Sequence, residues 1–248
     1  MITILQTELL KLRRTIVPWM ILGVILIPII FNFIYIAVSG FLEDSSFNWN
    51  TSLSFVNFLL TVLIAPIFYA GIASYIFSRE YREGTVEAHF TYPYTRTSFF
   101  IGKMFIIYLF ILLSCMLIFS VNLIICLLFA DVPPPPHFIK TEILNSLKIS
   151  VTQCAIVCIT ILASIAFRNN VAGILTAVIG CTTSIVMLFA ALGDWQLLNP
   201  YFFSLVVTDL TNYRQSSIYS GLASISVIGV LALISALYLY KNNDITNN

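Results

Sequence analysis

The chain has 248 residues, of which 59% are hydrophobic and only 9% are charged, and its mean hydropathy is +0.97. A soluble domain of this length cannot bury so much apolar surface, so the composition excludes an ordinary soluble protein and predicts a chain that lies mostly in lipid. The formal net charge of +1 gives no reason to expect a nucleic-acid partner.

The beginning of the chain shows a helical period. Hydrophobic side chains recur every three or four residues, at Ile2, Leu5, Leu9 and Leu12, whereas polar and charged residues occupy the other faces. This pattern is typical of an amphipathic helix that lies in the headgroup region of a membrane. The alternative is that the segment is the frayed beginning of the first membrane span.

Six uncharged apolar runs follow, each at least 19 residues long. About 20 residues cross the hydrocarbon core of a bilayer as a helix, and the runs lack the alternation of a membrane barrel. We therefore expect an all-α membrane protein with six transmembrane helices, in which residues 1–248 form a single domain. The predicted spans are residues 16–38, 53–77, 104–130, 149–167, 171–193 and 218–240.

The distribution of charge predicts the orientation of these spans. With both termini on one side of the membrane, nine of the 12 Lys and Arg residues fall on that side and two fall in the opposite loops. Cytosolic loops carry the excess of basic residues in membrane proteins. The sequence therefore predicts a multi-pass protein of the plasma membrane with both termini in the cytosol.

The connections between the spans differ in character. Residues 39–52 form a short acidic loop, and four prolines at 133–136 predict a stiff, extended spacer. Residues 168–170 leave room only for a tight turn. The last connection, residues 194–217, is predicted to contain short interfacial or re-entrant helices because it is rich in residues of the membrane-interface belt. Those belt residues are Trp195, Pro200, Tyr201, Phe202, Phe203 and Leu205.

Several kinds of chemistry are missing from the sequence. No charged residue occurs within the six runs, which argues against an ion-coupled transporter. A sodium site built from carbonyl and hydroxyl oxygens would not be detected in this way. The two histidines, His89 and His137, lie outside the runs and the five cysteines lie inside them, so we expect no metal site and no disulfide framework. A nucleotide-binding loop requires Ser or Thr directly after a Gly-Lys pair. Gly102 and Lys103 are followed by Met104, so the chain lacks this motif. We expect that the chain is not an enzyme, binds no cofactor and does not hydrolyse ATP itself.

The charged loop between the second and third runs is the most informative segment. It has mixed acidic and basic residues, then Glu-Gly-Thr, then after about eight residues a proline, an arginine and a Gly-Lys pair. These residues are Glu80, Arg82, Glu83, Gly84, Thr85, Pro93, Arg96, Gly102 and Lys103. The pattern resembles the cytosolic coupling segment of ATP-binding-cassette exporter permeases of the second type, and the resemblance extends over the whole chain. One departure is Ala88-His89, where that family usually carries leucines.

The residue types of the charged loop fit a short coupling helix parallel to the membrane. Gly84 can adopt backbone conformations that other residues resist, which lets the chain turn out of the second span. Val86, Glu87 and His89 would face a groove on a soluble partner, and Pro93 ends the helix. Charged residues at the two ends of the loop could form a network that makes it one lever; they are Arg79, Glu80, Arg82, Glu83 and Arg96. The alternative is a merely solvated charged loop.

The resemblance implies a half-transporter. Two six-span subunits, identical or homologous, would enclose a path, and two cytosolic ATP-binding subunits, which bind ATP and Mg²⁺, would dock on the coupling helices. The cargo is expected to be amphipathic peptides or antimicrobial compounds moved outward, as in peptide export or antibiotic resistance of bacteria.

Two other classes of function remain open from the sequence. A membrane-embedded lipid-modifying enzyme would need polar catalytic residues near a membrane face, and His89 with Glu83 or Glu87 is the candidate cluster. A membrane anchor or sensor that recruits an ATPase without transport is the other.

Overall fold

The structure is a computed structural model, and it describes residues 6, 9–12, 15–42, 49–83, 96–130, 133–190 and 193–242. Within these ranges most of the chain is helical and none of it forms a strand, and six helices are long and apolar enough to cross a membrane. The predicted all-α fold with six membrane spans is therefore confirmed. Residues Ile2 and Leu5 of the predicted interfacial helix lie outside the described residues.

The helices follow one another in a simple up-and-down order. The first span is α1 (Val17–Leu42), and the second is continuous from α2 (Trp49–Leu59) through a π-helical segment (Leu60–Ile64) into α3 (Ala65–Glu83). The remaining spans are α4 (Arg96–Phe129), α5 (Pro136–Ala166), α6 (Asn170–Ala190) and α8 (Gln215–Asn242). A 3₁₀ helix (Gly193–Leu198) and the short helix α7 (Pro200–Val206) lie between α6 and α8.

The π-helical segment has a local cause in the sequence. Pro66 has no backbone N–H, so the helix cannot make the usual bond from that position to the preceding turn. Just before it, the N–H of Ala65 donates to the carbonyl oxygen of Leu60, five residues back, as in a π-helix. The second span is thus locally widened at its middle rather than regular.

Helix α5 lies at the centre of the bundle and packs against α3, α4, α6 and α8, while α1 packs against α2, α3 and α4. Small polar side chains allow close packing around α5. Ser164 Oγ donates to Ser74 Oγ of α3 at 2.7 Å, and Gln153 Nε2 donates to Ser204 Oγ of α7 at 3.0 Å. Such bonds contribute roughly 0.6 kcal/mol each between membrane helices.

Two helices begin well before the apolar runs that predicted them. α4 begins at Arg96 rather than residue 104, and α5 begins at Pro136 rather than residue 149. The proline spacer is therefore shorter than predicted, because proline is tolerated in the first turn of a helix and Pro136 opens α5. The earlier starts place two charged residues inside the bundle, Lys103 at 1% exposure and Glu142 at 8%. Both residues lie outside the uncharged apolar runs, so the runs did not indicate that these charged side chains are buried.

The connection between α5 and α6 is the predicted tight turn. α5 ends at Ala166 and α6 begins at Asn170. Arg168 adopts a left-handed backbone conformation with φ of 51°, which reverses the chain within three residues. The N–H of Asn169 donates to the carbonyl oxygen of Ser164 at 3.2 Å, so the carbonyl groups at the end of α5 are partly satisfied.

The connection between α6 and α8 contains the predicted short helices, but most of its aromatic residues are buried. Asn199 caps α7 by accepting a hydrogen bond from the N–H of Tyr201 at 3.0 Å. Trp195 is exposed as a belt residue should be, whereas Phe202 and Phe203 belong to the core. Tyr201 and Leu205 are buried as well. The belt prediction was wrong for these four because the segment folds back against α5, α6 and α8.

Candidate functional site

The described parts of the charged loop lie at one end of the bundle, which we call the basic end. This end carries Arg79, Arg96, Lys103, Arg168 and Lys241. The backbone of Glu80, Arg82 and Glu83 belongs to the last turn of α3, and Arg96 is the first residue of α4. The middle of the loop lies outside the described residues; it contains Gly84, Thr85, Val86, Glu87, His89 and Pro93. The coupling helix therefore stays a prediction.

Arg79 ties the end of the second span to the beginning of the chain. Its Nη1 donates to the carbonyl oxygen of Lys11 at 3.5 Å, a long hydrogen bond across 68 positions of sequence. Residues 9–12 are helical, with Leu12 buried in the core and Leu9 exposed. One face of the N-terminal segment thus rests on the bundle while Leu9 points away from it, as an interfacial helix requires.

Arg96 makes the corresponding contact on the other side of the loop. Its Nη1 donates to the carbonyl oxygen of Lys241 at 3.0 Å. That carbonyl belongs to the last turn of α8, where backbone oxygens have no partner within the helix and carry partial negative charge. The guanidinium of Arg96 therefore joins the start of α4 to the end of α8.

A cluster of three aromatic rings and one lysine lies beneath these contacts; we call Phe77, Phe100, Lys103 and Tyr240 the aromatic clamp. The ring centroids are 5.3 Å apart for Phe77 and Phe100, 5.5 Å for Phe100 and Tyr240, and 6.0 Å for Phe77 and Tyr240. Lys103 Nζ lies 5.3 Å from the Phe77 centroid and 5.6 Å from the Tyr240 centroid. The clamp connects α3, α4 and α8.

The contacts within the clamp stabilise the packing of the three helices. Aromatic pairs in such geometries contribute about 0.5–1.5 kcal/mol each, and a desolvated ammonium over an aromatic ring about 2 kcal/mol. Lys103 meets that condition because it is almost fully buried. The clamp therefore holds α3, α4 and α8 together beneath the two ends of the charged loop.

Sequence reasoning missed the three rings of the clamp. Lys103 was identified as the end of the loop, but Phe77, Phe100 and Tyr240 look the same in the sequence as aromatic residues that face lipid. No local signal separates them, since their partners lie on distant helices. The predicted network of charges stays a prediction, since the side chains of Glu80, Arg82 and Glu83 lie outside the described residues. Arg79 and Arg96 contact backbone carbonyl groups of the first and last helical segments.

Behind the clamp, α3, α5 and α6 cross at very short distance. A Cβ atom added at Gly173 would lie 2.8 Å from the backbone carbonyl oxygen of Thr160 and would also meet the hydroxyl oxygens of Ser74 and Ser164. Only glycine allows α6 to approach this closely. This close approach packs α3, α5 and α6 tightly together near the basic end.

The opposite end of the bundle carries a separate polar surface. An open groove of about 680 Å³ is lined in part by Asp194, Arg214 and Ser217. Ser217 Oγ donates to the carboxylate of Asp194 at 2.6 Å. Burial, together with the nearby carboxylates of Asp194 and Asp209, raises the pKa of Tyr213 above its ordinary value. None of the residues predicted for the site lies in this groove.

Comparison with known families gives one match of wide coverage. A family model described as ABC-2 family transporter protein matches residues 4–184, which is more than half of the chain and contains the charged loop together with Phe77, Phe100 and Lys103. A comparison with curated proteins found no match.

Proposed function

The chain belongs to the ABC-2 family of transporter proteins, and from that premise we propose that it is the permease subunit of an ATP-driven exporter whose ATP hydrolysis is supplied by a separate subunit. Members of this family are membrane components of transporters, and membership implies in general a partner that binds ATP. Six apolar helices agree with this role.

The observation that carries the proposal is the way the two ends of the charged loop are held. Arg79 joins the end of α3 to the N-terminal segment, and Arg96 joins the start of α4 to the end of α8. Coupling between a nucleotide site and a transport path requires an element that both can bias. A loop whose ends are tied to the first, second, third and last helical segments meets that requirement.

We place the basic end in the cytosol, with both termini on that side, because most Lys and Arg residues lie there. Two ATP-binding subunits, with their ATP and Mg²⁺, would dock on the charged loop and on the N-terminal segment. A second six-span permease, identical or homologous, would complete the path through the lipid bilayer. The closing motion of the ATP-binding subunits would then act on α3, α4 and α8 through the aromatic clamp.

The proposed cargo is an amphipathic peptide or antimicrobial compound. The spans are rich in Phe, Ile and Leu and carry few charges. A path of this composition suits amphipathic molecules better than ions or sugars, whose hydration it cannot replace. Peptide export or antibiotic resistance in a bacterium is the biological role that this cargo implies.

The first test is purification of the chain from native membranes in mild detergent, followed by mass spectrometry of the proteins that accompany it. We expect a stoichiometric ATP-binding subunit, and the same sample shows whether a second permease is present. Its absence under conditions that preserve another membrane complex would contradict the proposal. In that case His89→Ala tests the enzyme alternative.

The second test separates coupling from assembly. Glu83→Ala and Gly84→Pro should insert into the membrane normally but uncouple ATP turnover from export in proteoliposomes. Lys140→Gln, an exposed substitution at the opposite end of the bundle, serves as the control and should export as the unmodified protein does. Normal export by both loop variants would overturn the role of the charged loop.

A further inference from the structure

A small cavity lies in the half of the bundle that is remote from the basic end. It is enclosed by α2, the π-helical segment, α4 and α5. Most of its lining is apolar, and its polar lining residues are Asn57, Asn122, Glu142 and Ser146. The centre of a water-sized sphere can occupy about 10 Å³ of the cavity. The cavity therefore has room for a single occupant the size of a water molecule.

Glu142 brings a carboxylate to this cavity. It is nine-tenths buried, and each of its oxygens accepts one hydrogen bond from a neutral amide. Asn57 Nδ2 donates to Oε2 at 3.0 Å, and Asn145 Nδ2 donates to Oε1 at 3.0 Å. These bonds orient the carboxyl group, and because both donors are neutral amides neither of them supplies a positive charge. A buried charge inside a membrane protein is costly to maintain and marks a functional site.

A second buried oxygen with accepting capacity belongs to Asn32, a neighbour of the lining residue Asn122. Asn32 is fully buried, and its Nδ2 donates to Oδ1 of the cavity-lining Asn122 at 2.8 Å. Among the described residues, the Oδ1 of Asn32 accepts no hydrogen bond. A carboxylate oxygen has room for two hydrogen bonds, so Glu142 also retains accepting capacity. An occupant of the cavity that donates hydrogen bonds or carries positive charge would meet this accepting capacity.

Several other titratable groups lie near the cavity. Lys148 Nζ contacts Oδ1 of Asn145 at 3.4 Å, so its charge approaches Glu142 through that amide. From α4, Cys115 lines the cavity and Cys126 lies 3.8 Å from Asn32 Nδ2. From α3, Tyr69 lies 3.5 Å from the sulfur of Cys115. Lys148 is exposed and contacts the amide of Asn145 rather than the carboxyl group of Glu142, and the thiols and the phenol supply no positive charge.

We propose that Glu142, with Asn57 and Asn122, forms a binding site for one monovalent cation, either Na⁺ or a proton carried as hydronium. A single carboxylate balances a single positive charge, and oxygen atoms are the ligands that hard cations prefer. The cavity has room for one such ion. Glu142 precedes the uncharged run of α5, so the absence of charged residues within the runs does not speak against this site.

The position of the site gives the cation a means to act on the second span. Leu60, the first residue of the π-helical segment, lines the cavity, and Asn57 lies one turn before it. Cation binding alters the interaction between Asn57 and Glu142 and thereby the support of this irregular segment. The same span continues into α3 and ends at the charged loop.

The test uses the full chain in lipid nanodiscs and needs neither ATP nor cargo, so its outcome is independent of the export experiment. Thermal unfolding is followed as NaCl replaces choline chloride at constant ionic strength. Infrared difference spectra between high and low pH report a protonated carboxyl group. Both measurements are repeated on Glu142→Gln and on Asp209→Asn, a control that neutralises an exposed carboxylate outside the spans.

A saturable increase of Tm with Na⁺, present in Asp209→Asn and lost in Glu142→Gln, identifies a sodium site. A carboxyl band that titrates, with the same dependence on the variants and no effect of Na⁺, identifies a proton site. Absence of both effects overturns the proposal. If Glu142→Gln does not fold, Asn57→Ala keeps the carboxylate and loses its orienting donor. For a sodium site, Asn57→Ala should raise the Na⁺ concentration that gives half-maximal stabilisation by about tenfold. For a proton site, it should change the proton concentration at the midpoint of the carboxyl titration by about tenfold.

Discussion

Replacement of Tyr240 by leucine tests the aromatic clamp most directly. The ring of Tyr240 lies 5.5 Å from Phe100, 6.0 Å from Phe77 and 5.6 Å from Lys103 Nζ. Loss of two aromatic pairs and one cation–π contact should lower the free energy of unfolding by about 3 kcal/mol. For a chain of this size that corresponds to a decrease of about 6–12 °C in Tm.

The matched control for this experiment lies two residues earlier on the same helix. Tyr238 is 63% exposed and faces away from the bundle, so Tyr238→Leu should change the free energy of unfolding by less than about 0.5 kcal/mol. Tyr240→Phe keeps the ring and should retain most of the stability. The assay is thermal unfolding of the purified variants in nanodiscs. Equal Tm values for Tyr240→Leu and Tyr238→Leu would refute the clamp.

The clamp also predicts a functional result that stability alone does not. Tyr240→Leu should reduce the stimulation of ATP turnover by cargo in the reconstituted complex at temperatures where the variant is folded. The physical reason is that α8 then no longer moves with α3 and α4. Unchanged stimulation in a folded Tyr240→Leu variant would limit the clamp to a structural role.

Three further substitutions probe other contacts, each measured by thermal unfolding in nanodiscs and, for the first, by ATP-driven export. Arg96→Gln removes the charged donor to the end of α8 and should lower stability by about 1 kcal/mol and reduce export, whereas Lys140→Gln should do neither. Gly173→Ala should lower stability by about 1–3 kcal/mol because its Cβ would meet a backbone carbonyl oxygen at 2.8 Å, while Val171→Ala on an exposed face of the same helix should have little effect. Asn32→Ala removes a buried hydrogen bond between α1 and α4 and should lower stability by about 1–2 kcal/mol; a change below about 0.3 kcal/mol would contradict that bond.

The two arginine contacts suggest how one short loop can influence a whole bundle. α3 and α4 alone would form a hairpin with its own freedom of motion. The contacts of Arg79 and Arg96 add the N-terminal segment and α8 to that hairpin. Packed helices respond to a force as connected bodies because their interfaces are as dense as a crystal. A partner that displaces the loop therefore works against four helical segments.

The number of spans and the tight turn between α5 and α6 followed from the sequence alone. Hydrophobic length is a local property, and about 20 apolar residues in succession have few alternatives to a membrane helix. The helix ends did not follow from it. α4 begins at Arg96 and α5 at Pro136 because helix geometry continues into polar residues when a neighbouring helix covers them. Hydropathy contains no information about such neighbours.

The sequence by itself thus determined that this is a six-span membrane protein with a charged loop of a recognisable family. The tertiary structure decided which of many similar aromatic and polar residues act together. Phe77, Phe100 and Tyr240 became one cluster, and Asn57 and Glu142 became hydrogen-bonded partners, only through the packing of helices that are far apart in the chain. The physical reason is that in lipid the apolar side chains have no preference between bilayer and protein, so shape and hydrogen bonds between helices select the partners.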